Sequence, residues 1–344
     1  MSYTNGLDKP TDYFNTVTWT GTDDATTAVT GVGFQPDWVW VKNRNVADDH
    51  MLFDAVRGVT KRLFSNSTAA EGTDAETLTS FDSDGFSTGN NRATGGSAGN
   101  GMVAWNWLAG GTASSNTDGS ITSTVSANTT SGFSICAFNG NSGTVGHGLG
   151  AKPDFLVVKS RDTGGSNNWV VTHSALGTNM ADKYLILNGT DAGGTSSNVW
   201  GGEPTSTTFT VTGSVAANDN NIAYLFTEKK GYSKFGSYTG NGNADGTFVY
   251  TGFKPAMLIV KRTDTTGAWV IYDNKRDTFN PADAQLVPSS SEAEATSERF
   301  DFLSNGFKLI TTATRVNASG GSYIYMAFAS NPFVTSTGIP TTAR

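Results

Sequence analysis

The chain of 344 residues has a single cysteine, Cys136, and three histidines, His50, His147 and His173. One cysteine excludes an intrachain disulfide framework, and no two histidines stand at metal-ligand spacing. Charged residues are scarce, at 15%, and sum to 23 − 30 = −7. No cluster of Lys and Arg interrupts that balance, which argues against a nucleic-acid groove, because phosphate binding needs clustered cations. No apolar run approaches the ~20 residues of a membrane helix. Residues 1–10 lack the basic-then-apolar order of a secretion signal. These absences predict a soluble product made in a cytoplasm, with no nucleic-acid partner and no membrane insertion. The Gly- and Thr-rich composition does not suit helices: Gly occurs 41 times, and each Gly costs a helix about 1 kcal/mol against Ala.

What is present suits β-structure. Hydrophobic residues, at 37%, suffice for real cores. They fall in runs rich in Val, Ile, Phe, Trp and Tyr, bounded by Gly, Asn, Asp or Pro, which are strand and turn signals. Asp84-Gly85, Asp245-Gly246 and Asn305-Gly306 read as hairpin turns. Only residues 69–78 and 282–298 could hold a turn or two of helix. The alternation around Cys136 marks it as a small buried strand residue.

The chain also resembles itself. Three blocks read Gly-Phe-Gln-Pro36-Asp-Trp-Val-Trp-Val-Lys42, Gly-Ala-Lys-Pro153-Asp-Phe-Leu-Val-Val-Lys159 and Gly-Phe-Lys-Pro255-Ala-Met-Leu-Ile-Val-Lys261. Upstream of them lie Trp19-Thr-Gly21, Phe138-Asn-Gly140 and Tyr238-Thr-Gly240. Downstream come Met51-Leu-Phe-Asp54, Trp169-Val-Val-Thr-His173 and Trp269-Val-Ile-Tyr-Asp273, then Leu63, Leu185 and Leu286. Each copy closes on an aromatic strand ending at Trp107, Phe226 or Phe328. The pattern predicts an all-β protein of three tandem antiparallel β-sandwich or jelly-roll-like units. They cover residues 11–110, 131–230 and 234–333. Residues 111–130 form a linker with one strand, and 334–344 a tail. Stacked units of this kind predict a rod. Trp38, Trp40, Trp105, Trp169, Trp269 and Tyr325 recur at matched positions, as members of a shared sandwich core would.

Little in the chain points to catalysis. Gly95-Gly96-Ser97-Ala98-Gly99 matches a nucleophile elbow, but it lies in a Gly-rich loop without the flanking strand and helix. No pair of carboxylates is singled out, and the expectation is that the protein is not an enzyme and has no catalytic residues. His173 stands where the other copies have Asp54 and Asp273, which suggests a turn-fixing hydrogen bond. Asn241, Asn243 and Asp245, with Gly246 following, imitate the first half of a calcium loop. Its twelfth position is Gly252 rather than a bidentate Glu, so no cofactor is expected and a structural Ca2+ is the alternative reading. Trp200, beside Asn198 in a Gly-rich stretch, has no counterpart in the other copies. It is the candidate exposed contact residue. Trp200, Asn198, Asn241, Asn243 and Asp245 together form the candidate glycan-contact set.

The repeated block, with Phe81-Asp-Ser-Asp-Gly-Phe86, Val145-Gly-His-Gly-Leu-Gly150 and Phe235-Gly-Ser-Tyr-Thr-Gly-Asn-Gly242, resembles an uncharacterised domain family of tailed phages of marine bacteria. Most of the chain takes part in the likeness. The third copy departs from it, with Ala256 in place of the Asp and no spacer between Lys261 and Arg262. The resemblance implies a virion structural protein, described as tail-fibre-like, with other virion proteins as partners, a trimeric homo-oligomer and host-surface glycan as a ligand. A looser likeness to concanavalin-type jelly rolls also points to glycan. A capsid decoration protein and a glycan-degrading enzyme are the alternatives.

Overall fold

The computed structural model describes residues 6–162 and 167–341. Nearly all of its regular structure is antiparallel β, as the turn-rich composition predicts. The first large sheet runs Phe14–Thr20, Gly101–Trp107, Trp38–Asn43, Met51–Asp54, Lys61–Phe64, Gly72–Thr73. The second keeps that order with Phe133–Asn139, Asn220–Phe226, Phe155–Ser160, Val170–His173, Lys183–Ile186 and Gly194–Thr195. The third runs Ser233–Thr239, Ser322–Pro332, Phe253–Arg262, Val270–Asp273. In each, the strand carrying the Pro-to-Lys block pairs with the aromatic closing strand, Trp38 opposite Trp107, Phe155 opposite Phe226 and Met257 opposite Phe328.

Two expectations fail here. Residues 111–130 are not a linker: Ser114–Asn116 and Ser123–Asn128 are strands that extend the second sheet to eight. The apolar positions Val125 and Ile121 supply the burial that holds them there. The stretches 69–78 and 282–298 hold strands and turns; the one α-helix among the described residues is Thr314–Asn317. Residues 1–5 and 342–344 of the tails lie outside the described residues.

Each large sheet is covered on one face by a smaller one. The small sheets are Thr27–Thr30 with Gly85–Thr88 and Leu78–Asp82; Gly143–Gly146 with Thr208–Val211; and Phe248–Tyr250 with Gly306–Leu309, Ala295–Leu303 and Ala282–Gln285. The hairpin glycines Gly85 and Gly306 are demanded by close approach. A Cβ there would meet the paired strand's carbonyl oxygen at 2.0 Å from Val29 and 2.1 Å from Val249.

The other face of every large sheet turns inward to one common core. Strand side chains alternate between faces, so Val39 and Val41, Leu156 and Val158, and Leu258 and Val260 fill three separate sandwich cores. Their neighbours Trp38 and Trp40, Phe155 and Val157, and Met257 and Ile259 meet in the shared core. Trp105, Trp107, Trp169, Tyr224, Phe226, Trp269 and Phe328 join them. Trp38 stacks on Tyr224 at 4.4 Å between centroids, and Phe14 on Phe328 at 5.0 Å. Of the aromatics expected in sandwich cores, only Tyr325 sits in one; the five tryptophans lie between sheets. Both faces of the central strands are therefore buried, which is why those strands read as unbroken apolar runs.

The three sheets close a ring, and so the expected rod is replaced. Trp169 Nε1 donates to the Phe64 carbonyl at 2.7 Å, joining the second segment to the first. Trp269 Nε1 donates to Ile186 at 2.9 Å, joining the third to the second. At the matching place the His50 ring faces the Val287 backbone, first segment to third, although its Nε2 has no partner at hydrogen-bond geometry. Backbone contacts repeat the cycle: Glu71 N to Arg161 O, Gly193 N to Thr263 O, and Glu294 N to Arg44 O, at 2.8, 2.9 and 2.8 Å. The block-ending lysines Lys42, Lys159 and Lys261 are fully buried. Lys159 and Lys261 reach carbonyls of the preceding segment, Thr68 and Asp191, at 3.1 and 2.8 Å, and Lys42 reaches the Val46 carbonyl at 3.0 Å. Burial pushes each ammonium down to about 8.

Candidate ligand-contact face

Trp200 is not a surface residue. It is 1% exposed, within the second sandwich core, and its Nε1 donates to the Lys183 carbonyl at 3.1 Å. A large indole without a counterpart filled a gap in its own segment because burial of its area outweighs loop exposure. Asn198 beside it is exposed, but it is not brought near the other candidates by any contact, and its carbonyl accepts from Thr212 Oγ1.

Asn241, Asn243 and Asp245 are exposed and do lie together. Their side chains brace the loop. Asn241 Oδ1 accepts from Asn243 N, Asn243 Oδ1 accepts from Asp245 N, and Asn241 Nδ2 donates to the Asp245 carbonyl. Asn317 Nδ2 also donates to Asn241 Oδ1. The amide oxygens a cation would need are occupied by these donors, as in ordinary Asx turns. Among the described residues no group of three or more His, Cys, Asp or Glu could hold a metal. The Asp245 carboxylate is paired with Lys308 Nζ, and that hydrogen bond holds its pKa below the usual range.

Lys308 leads from this loop to a feature not recognised in the sequence. It stands opposite Phe248 in the pairing of Phe248–Tyr250 with Gly306–Leu309. Phe248 and Tyr250 flank buried Val249, so both project from the outer face; they are 46% and 60% exposed. Phe248 lies across Gly306, where a Cβ would come within 3.1 Å of its ring, and Tyr250 lies alongside Gly252. Glycine at each site leaves the ring free to lie flat on the sheet. The corresponding outward positions are Ala28 and Thr30 in the first segment and Thr144 and Gly146 in the second. Two aromatics on the outward side of a strand in one copy alone were the sequence signal, and the three-residue strand was too short to show it.

Tyr250 also forms one wall of a cleft of about 340 Å³, between the second and third segments, lined by Glu228, Lys230, Lys234, Thr251 and Phe333. Glu228 Oε1 accepts from Lys234 Nζ at 2.6 Å, with both side chains about a third exposed. The enclosed apolar space in the shared core, between Trp38, Trp107, Trp169, Trp269 and Met326, holds only about 20 Å³ with no polar lining. That is room for a single water-sized group, and an apolar void of this kind stays dry; it is a packing gap, not a ligand site.

The histidines serve structure. His173 Nδ1 accepts from Ala175 N at 2.9 Å, fixing the turn as expected, which leaves the proton on Nε2 facing the Tyr325 carbonyl at 3.1 Å. Burial pushes its pKa down to about 4. His147 Nδ1 accepts from Leu149 N at 3.2 Å. Cys136 is buried in its strand, and burial pushes its thiol up to about 12. Ser97 lies in a loop between a short 3-10 turn and a strand, with no helix behind it.

No curated protein matches the chain. A family model, described as a domain of unknown function (DUF7483), matches residues 9–332 and so spans all three large sheets; the chain belongs to that family.

Proposed function

We propose that this DUF7483 member is a non-catalytic structural component of a phage particle, a tail-fibre or attachment protein, and that it holds host-surface glycan on its Phe248 and Tyr250 face. The observation that carries the reading is that pair of flat, exposed rings beside a braced loop of Asn241, Asn243 and Asp245. Sugar rings present apolar C–H faces that stack on aromatic rings, while their hydroxyls take hydrogen bonds from amides and carboxylates. The likeness of the repeated blocks to a marine-phage family supports the particle assignment. The closed ring supports a rigid scaffold, since rigid elements hold a contact surface better than loops do.

The test joins imaging to binding. Imaging of the intact particle is expected to find the chain at a tail or fibre position with the Phe248 face turned outward. A glycan array with the wild-type protein is expected to give hits that Phe248→Ala with Tyr250→Ala weakens about ten- to a hundredfold, the loss of two stacking surfaces. Both residues are exposed, so the variant should unfold with the wild type. Density on the capsid lattice would make this a decoration protein, and array hits indifferent to the variant would remove the face from the reading.

A further inference from the structure

Tyr250 stands in two surfaces at once. It projects beside Phe248 from the outer face of the third small sheet, and it lines the cleft between the second and third segments. Its side chain lies against Gly252, where a Cβ would come 3.5 Å from the Tyr250 hydroxyl. Thr251 and Gly252 carry the chain from the end of the strand into the cleft wall. A ligand laid along the strand from Phe248 to Tyr250 therefore meets the cleft next. We infer that the cleft holds a second, uncharged sugar unit, so that the ligand is a neutral oligosaccharide and not a single terminal sugar. This rests on the glycan-binding reading above and specifies its ligand.

The polar groups of the cleft set the chemistry of what it takes. Ser233 and Thr251 are buried and engaged within the protein: Ser233 Oγ accepts from Lys229 N at 3.0 Å, and Thr251 Oγ1 donates to the Phe253 carbonyl at 2.7 Å. Glu228 and Lys234 pair at 2.6 Å, with about a third of each side chain exposed. Lys230 also has a partner within the chain. An anion would have to compete with Glu228 for the ammonium, and a cation with Lys234 for the carboxylate. The net charge of −7 opposes an anion further. A hydroxyl meets neither cost. The ammonium has three donors and gives one to Glu228, while the carboxylate keeps acceptor sites beyond those used by Lys234 and by Phe235 N at 3.4 Å. One sugar hydroxyl, which both donates and accepts, can therefore bind the two members of the pair together. The pair is also held in place. Glu228 N donates to Asp154 Oδ2 of the second segment at 2.7 Å, and Lys234 lies in the strand Ser233–Thr239 of the third sheet. The volume of about 340 Å³ is at the lower end of ordinary ligand pockets, which suits a single unit rather than a length of chain.

The test is chain length. Neutral glucose and mannose oligomers, from the single sugar upward, and oligogalacturonate as the charged counterpart are titrated into the full-length protein by calorimetry. Affinity for a neutral series is expected to rise about tenfold or more over the first added units and then level off, with oligogalacturonate weaker. Glu228→Ala with Lys234→Ala is expected to remove that gain. A partly exposed ion pair adds little to stability, so this variant should melt with the wild type. Phe248→Ala with Tyr250→Ala is expected to lose binding at every length. Binding without a gain in length, or a gain that the Glu228 and Lys234 variant keeps, would overturn the subsite and leave the glycan face standing. Tighter binding of oligogalacturonate than of every neutral series would overturn the uncharged ligand. No binding of any saccharide would overturn both readings.

Discussion

The ring has three junctions of one geometry but two chemistries. Between the first and second segments, Arg57 is buried between Asp54 and Glu71, and Glu71 also takes Arg161 of the second segment at 2.8 Å. Between the third and first, Arg276 is buried between Asp273 and Glu294, and Glu294 takes Arg44 of the first segment at 2.6 Å. Tyr224 and Trp105 cross these two junctions to donate to Asp54 and Asp273 at 2.7 and 3.1 Å. Among the described residues, the junction between the second and third segments has none of this. His173 stands in place of the Asp, Leu176 in place of the Arg, Gly193 in place of the Glu and Thr263 in place of the second Arg. What survives everywhere is the backbone contact and, at two of the three junctions, a tryptophan N–H on a carbonyl. Geometry was kept where charge was dispensable. Burial opposes a charge on Arg57, but Asp54, Tyr224 and Glu71 outweigh it and hold the guanidinium pKa above its usual value. A buried network of this kind works only when complete.

That contrast makes Arg57→Ala the most damaging change. It strands the Asp54 carboxylate without its cation, and the expected loss is about 3–5 kcal/mol in a urea unfolding titration. Leu176→Ala, the matching position at the uncharged junction, removes only partly buried apolar surface and should cost clearly less. A loss no greater for Arg57→Ala would show that the network does not hold its junction.

The uncharged junction should be acid-sensitive through His173, as the junction of the third segment with the first should be through His50, whose pKa burial also holds well below the free value. The folded pKa of His173, about 4, lies below the free value of 6.5, so the unfolded chain binds the proton first. Stability is then complete above pH 6.5 and falls as pH drops toward 4, by at most about 3 kcal/mol for this residue. Protonation would set an Nδ1–H against the Ala175 N–H, which now donates to it. Melting temperatures of wild type and His173→Gln across pH 7 to 4 check this. The variant should start lower and decline less steeply; parallel curves would exclude His173 as a titrating group.

A smaller effect is expected from Trp269→Phe, which keeps most of the ring and removes one of two donors to the Ile186 carbonyl, Gly189 N remaining at 3.2 Å. The expected cost is about 0.5–1.5 kcal/mol, the loss of one hydrogen bond, and Trp169→Phe should match it at the charged junction, where the Phe64 carbonyl keeps Ser67 N at 3.3 Å. A much smaller cost for Trp169→Phe would mean that the ion pairs compensate, which sharpens the difference between the junctions.

Local order was legible in part. The glycines of Asp84-Gly85 and Asn305-Gly306 sit in the hairpins assigned to them, whereas Asp245-Gly246 joins strands of two different sheets and closes no hairpin. The site was half legible. Asn241, Asn243 and Asp245 were found because Asx turns leave a spacing signature, whereas Phe248 and Tyr250 were missed because their exposure depends on which face a three-residue strand turns outward. Trp200 misled for the opposite reason: glycines around it suggested a loop, and only packing revealed the pocket that takes its indole.

The sequence by itself determined the all-β class, since short apolar runs bounded by turn residues form strands, and Trp38-Val-Trp-Val and its counterparts, apolar at every position, carry apolar side chains on both faces of their strands. The tertiary structure alone decided what each face is buried against. The alternation is blind to partners hundreds of residues away, and only the closing contact of the first segment with the third, Trp105 on Asp273 and Arg44 on Glu294, turned three sheets in series into a ring around one core.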